Sequence, residues 1–172
     1  SDIGRERLME KVFRAAEQDG KLYQIFESFG IQTVVGAKEV VGDRMSWTLG
    51  DLKEAKGKMP EGCAVFGMYD TRESMLQTVL YQSMDSFVDW TKGKCSFDSD
   101  GFKALLEFCA GFPGSDELQQ DQEDGGYESD SSRMLNKKQM LAQITLYDMG
   151  WTYQEYKAAF GGDISFVGYP RE

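Results

Sequence analysis

The chain has 172 residues, 41% of them apolar, which is enough for one core of ordinary size, and it carries 29 acids against 19 bases for a formal charge of −10. Seven of the acids (Asp116, Glu117, Asp121, Glu123, Asp124, Glu128 and Asp130) lie between Ser115 and Ser132 with no base among them; removing those seven from −10 leaves −3 for the rest. Such acidity excludes nucleic-acid binding, which needs a Lys/Arg face. The absence of histidine excludes Ser/His and Cys/His nucleophiles and deprives zinc of its usual ligands.

The apolar runs are too short to span a bilayer, and the opening "SDIGRERLMEKV" is too charged for a signal peptide. Cys63, Cys95 and Cys109 form no CxxC pair, so they are read as small buried hydrophobes rather than a disulfide framework.

In chain order, Met9, Val12, Phe13 and Ala16 share a helical face and predict a helix over residues 2–18, stopped by Asp19-Gly20. Residues 19–33, "DGKLYQIFESFGIQT", alternate as a strand with no hairpin partner nearby. A second β-rich run reaches Val41, broken at Gly36, and the two runs together read as one strand bent near Gly30. Thr48 and Asp51 have capping-box spacing and open a short helix ending at Gly57. Met75, Leu76, Val79, Leu80, Met84, Phe87 and Val88 keep helical spacing over four turns from Arg72 to Val88.

Asp98 or Ser99 caps the next helix, whose stripe is Phe102, Leu105, Leu106, Cys109 and Phe112, with Pro113-Gly114 as its stop. Residues 115–132, with a Gly-Gly pair and serines, cannot bury enough apolar surface to offset ordering entropy and are expected to form an acidic mobile loop. Residues 133–147 fit both periods; the preferred reading is a short helix through Asn136, then a strand to Leu146. Tyr153, Tyr156 and Phe160 mark a last helix capped by Gly161-Gly162, and "ISFVGYP" closes as a strand.

The expectation is therefore one α+β, mostly helical domain over residues 1–172, with strand-like segments near both ends enclosing helices. Strands at both ends suggest two crossings of a hinge, with their sheet partners in another lobe.

Four stretches, "DGKLYQI", "GDRMSWTLGDLKEA", "FVDWTKGKCSFDSDGFKALLEFCAGFP" and "YKAAFGGDISFVGYP", resemble in order and spacing the bacterial extracellular solute-binding proteins of ABC importers, the sugar-binding family that includes maltose-binding proteins. The resemblance implies one helix-rich lobe of a type II periplasmic-binding-protein-like fold. It implies a first lobe in the parent chain, a membrane permease as partner, and a parent protein at the cell surface, a lipoprotein in many Gram-positive examples. On this reading residues 21–33 and 163–170 are the strands that cross between lobes.

Sugars present flat C–H faces that sit well on aromatic rings. The candidate ligand-binding residues are accordingly Tyr23, Phe26 and Phe29 on the entering strand, and Tyr147 and Trp151 after the second strand, where the family places a stacking ring. Core packing is the competing reading for Phe26 and Phe29. Trp47 reads as a staple onto its helix, Trp90 as the cover of a helix end, and Glu27 and Asp148 as solvated carboxylates or acceptors for sugar hydroxyls. "DQEDGGYESD" lacks the ligand order of a calcium loop, and no carboxylate pair is marked out for glycoside hydrolysis. The expectation is a non-enzymatic carbohydrate-capturing lobe without cofactor or metal, with dimerisation possible through exposed strand edges. The alternative is a helical protein–protein interaction domain.

Overall fold

A computed structural model describes residues 9–24, 26–117 and 128–170. The span expected to be one domain divides into two compact units, Ser1–Gly30 and Ile31–Glu172.

In the first unit, α1 (Glu10–Ala15) is followed by β1 (Glu17–Gln18) and β2 (Lys21–Leu22), paired antiparallel with Glu17 opposite Leu22. The expected helix stops at Ala15, and residues 2–8 lie outside the described residues. Asp19 and Gly20 have positive φ, 52° and 71°, which is the backbone of a two-residue hairpin turn with the right-handed twist of its strands. The Asp-Gly pair thus turns a hairpin, and Leu22 has a partner five residues away in Glu17, against the expectation of none. Over residues 23–30 no strand forms among the described residues, so Tyr23, Phe26 and Phe29 lie in irregular chain rather than on an entering strand. Alternation makes a strand only where a neighbour takes up the amides.

In the second unit β3 (Ile31–Ala37) is the middle strand of an antiparallel sheet ordered β6–β3–β7, with β6 at Leu141–Leu146 and β7 at Ile164–Phe166. Ile31 stands opposite Leu146 and Gly36 opposite Leu141, while Val35 stands opposite Phe166 and Ala37 opposite Ile164. The strands near the two ends of the chain therefore do lie side by side. The sheet partners expected in another lobe are, for β3, both supplied by this chain, because the antiparallel returns of β6 and β7 flank it.

Both faces of β3 are covered. Val34, at 0% exposure, joins a core with Leu52 and Ala55 of α3 (Leu49–Gly57), Met75, Val79 and Phe87 of α4 (Arg72–Phe87), and Leu105 and Cys109 of α5 (Asp100–Ala110). Val35, also at 0%, faces a second core with Met134 of α6 (Asp130–Leu135) and Ala159 of α7 (Met149–Phe160). A near-continuous apolar run is what a strand covered on both faces needs. Beyond Ala37 the chain does not extend to Val41 as a strand but turns into the short α2 (Lys38–Val41), which buries Val40 and Val41.

The caps follow the sequence closely. Thr48 and Asp51 form a reciprocal capping box on α3, Thr71 and Ser74 another on α4, and Ser99 caps α5. The long helix ends at Phe87, and Val88 begins a short hairpin, β4 (Val88–Asp89) with β5 (Lys94–Cys95). Gly161 closes α7 in the left-handed conformation, φ 69°. In α5, Leu106 of the expected stripe is exposed, and Cys95 on β5 is exposed while Cys63 and Cys109 are buried. Of the acidic stretch, residues 118–127 lie outside the described residues; its ends are tied by Arg72 to Glu117 at 2.7 Å and Lys138 to Glu128 at 2.8 Å.

Gly36 does not break β3, since its missing side chain admits the neighbours: a Cβ there would lie 2.8 Å from both Leu141 Cδ2 and Val41 Cγ1. Gly36→Ala is expected to destabilise the protein by about 1–3 kcal/mol through overpacking, read as a lower denaturation midpoint in urea.

Candidate functional site

The end of the sheet at Ile31 and Leu146 is where the chain passes from β6 into α7 through Tyr147 and Asp148. Asp148 is the N-cap of α7: its Oδ1 accepts the backbone N–H of Trp151 at 2.8 Å. The helix is held to the sheet by Thr152 and Ala159, with Tyr153, Tyr156 and Phe160 packed at the same face. That inward face leaves the first turn pointing out, with Tyr147 75% and Trp151 67% exposed. Met149 and Ile31 are exposed too, so the sheet end presents apolar and aromatic surface on a rigidly capped turn. Capping occupies one oxygen of Asp148, which makes this carboxylate part of the scaffold.

Tyr147 and Trp151 are thus brought together around one cap. Tyr23, Phe26 and Phe29 belong to the residue 1–30 unit. Phe26 is 40% and Phe29 42% exposed, against the reading of both as core. Trp47 is buried in the first core with Leu52, and its Nε1–H donates to the Gly168 carbonyl at 2.9 Å, fastening the start of α3 to the chain beyond β7. Trp90 is exposed and donates to Asp85 Oδ1 at 3.0 Å.

One polar network carries no signal in the local sequence. Gln143, in the middle of β6, donates from Nε2 to Asp70 Oδ1 at 2.7 Å and accepts the Tyr169 hydroxyl on Oε1 at 2.8 Å. Burial pushes the Asp70 carboxyl above its usual range, with the Asp130 charge adding to the rise and hydrogen bonds from Gly67 and Gln143 opposing it. Burial also raises the Tyr169 phenol, helped by Asp70. The three residues meet only because β6 lies between the segments that bear the other two, so no spacing rule finds them. Among the described residues no cluster of three or more potential ligands could hold a metal ion.

Solved structures with a matching fold include an ABC transporter solute-binding protein from Thermotoga lettingae bound with alpha-D-tagatose, with 13% identity and a TM-score of 0.51 over 98% of this chain. An ABC substrate-binding protein from Listeria monocytogenes in complex with cycloalternan matches with 14% identity and a TM-score of 0.51 over 99%. The chain has the fold seen in ABC-transporter solute-binding proteins. It spans 46% of the length of each of these two chains. No protein-family model and no curated protein matches the sequence. The α+β, helix-rich architecture expected for one lobe of a periplasmic-binding-protein-like fold agrees with these two neighbours. Among the described residues no helix is long and apolar enough to cross a membrane.

The Asp70 carboxyl gives a pH test. Its folded pKa lies above the unfolded value, so the folded state binds the extra proton and stability falls as pH rises through that window. Asp70→Asn, which keeps an acceptor for Gln143, is expected to match or exceed the native stability at pH 7. The advantage should vanish below about pH 3.8, the ordinary value, where the native carboxyl is neutral; thermal melts across pH read the difference.

Proposed function

We propose that this chain is the ligand-binding lobe of an extracellular solute-binding protein that captures a carbohydrate for import by an ABC transporter. The observation that carries the reading is the pair of exposed rings, Tyr147 and Trp151, on a capped turn at the sheet end of a fold shared with solute-binding proteins. Flat rings held outward on a rigid element suit the C–H faces of a sugar, because stacking removes apolar surface from water while leaving the hydroxyls free for polar groups. Tyr23, Phe26 and Phe29 are the further proposed contacts, from the residue 1–30 unit.

Its work in this reading is mechanical rather than catalytic. The chain supplies one wall of a cleft, a first lobe of the parent protein supplies the other, and contacts to both favour the closed form that a permease recognises. The parent protein is placed at the cell surface, held there as a lipoprotein. Association of two copies through the outer strand edges is the accompanying proposal, and a concentration-independent monomer in sedimentation would count against it.

The test is a titration of the chain with tagatose and with α-glucan oligosaccharides, following indole and backbone amide resonances. Binding is expected to be weak, on the order of millimolar, since half of the contacts and the exclusion of water are supplied elsewhere. It should shift Trp151 and the Tyr147 amide, and Trp151→Ala should abolish it without lowering the melting temperature. Tight calorimetric binding to this chain alone, or sugar shifts that bypass both rings, would overturn the assignment.

A further inference from the structure

Within the residue 31–172 unit a cavity of about 560 Å³ opens between α3, residues 64–70, the C-terminal end of α5 and α6. This volume suits a small organic molecule. Two half-buried rings line it, Phe108 and Phe112, which meet edge-on at 5.3 Å; behind them the buried Phe66 stacks on Phe112 with centroids 6.1 Å apart.

Two half-buried cations also line it, Lys56 from α3 and Arg133 from α6. The Lys56 ammonium donates to the Cys63 carbonyl, and Arg133 Nε donates to Gln139 Oε1 at 3.4 Å. Both partners are neutral. Among the described residues neither cation has a carboxylate partner, although Arg44, Arg72, Lys138 and Lys157 each have one. What marks these two out is that both are half-buried and line the same cavity, where a charge lacking a carboxylate partner costs more than at the exposed surface. Both charges act on the buried Cys63 thiol, opposing the rise that burial causes, which sets them at the same end of residues 63–70. Their remaining N–H groups are free to donate, and Arg133 keeps the planar fork that matches a carboxylate.

The other end of that segment has the opposite sign. Asp70 lines the cavity, and a Cβ placed on Gly67 would have Asp70 Oδ2 at 3.3 Å and Asp130 Oδ2 at 3.2 Å. A ligand with a second negative charge would be repelled there, so a doubly charged phosphoryl group fits less well than a single carboxylate. A neutral sugar would leave the cation pair uncompensated.

We propose that this cavity binds a small monocarboxylate with a flat apolar body, its carboxylate held by Lys56 and Arg133 and its body lying against Phe108 and Phe112. The proposal does not rest on the carbohydrate reading, since none of these residues belongs to the Tyr147–Trp151 surface.

The experiment is a titration of the chain with 2-naphthoate, followed by ligand fluorescence and protein NMR. Parallel titrations use 2-naphthamide, 2-naphthyl phosphate and 2-naphthylmethylamine. Naphthoate is expected to bind and to shift resonances of Phe108 and Phe112, with the other three probes at least about tenfold weaker. Arg133→Gln and Lys56→Gln should each weaken naphthoate about tenfold while leaving the weak naphthamide affinity unchanged, and Lys56→Arg should retain binding. The proposal is overturned by no naphthoate binding, by equal affinity for the amide, by preference for the phosphate or the amine, or by full binding after both charge removals. A variant that melts early is replaced by the charge-retaining Arg133→Lys, which should keep the preference for carboxylate over amide.

Discussion

The structure of the larger unit depends on β3 being buried on both faces. A strand with side chains packed above and below and hydrogen bonds on both edges is fixed in three directions, and its register determines which residues of β6 and β7 reach each core. Val34 and Val35, adjacent in sequence, point into different cores, and among the described residues each of the helices α2 to α7 places buried side chains in one core or the other. Displacing β3 by one residue would exchange the two sets and leave Gly36 no longer opposite Leu141, where the close approach of Val41 requires it.

That constraint explains why the exposed rings are where they are. Antiparallel pairing of Ile31 with Leu146 ends the sheet at one point, so the residues immediately after β6 emerge there whatever their identity. Asp148 then sets the direction of α7 by capping it, and the inward face of that helix commits Thr152 and Ala159 to the core. Tyr147 and Trp151 are left outside by elimination, on a turn where the Asp148 carboxylate accepts the Trp151 N–H and its carbonyl accepts the Thr152 N–H.

Charge is distributed with the same economy. Most lysines and arginines with a described partner meet a carboxylate at the surface, where such pairs contribute little to stability but keep an acidic chain from repelling itself locally. The polar groups that matter more are inside. The Asp70–Gln143–Tyr169 chain is satisfied at every link, while Lys56 and Arg133 meet only neutral oxygens beside the apolar cavity.

The sequence by itself determined the local pieces: the capping box at Thr48, the helix from Arg72, the strand to Leu146 and the glycine stop at Gly161, because each is written in a short stretch of neighbouring residues. The family resemblance, rather than any local pattern, pointed to Tyr147 and Trp151 after that strand. Only the tertiary structure decided the rest. Alternation over residues 23–30 could not say whether a neighbouring strand would accept its amides, and Asp19-Gly20 is equally good chemistry for a helix end or a hairpin turn. The partners of β3, the meeting of Asp70 with Gln143, and the gathering of Lys56 and Arg133 around Cys63 all join residues far apart in the chain. They follow from strand pairing over long separations, and no local period encodes which distant segment arrives.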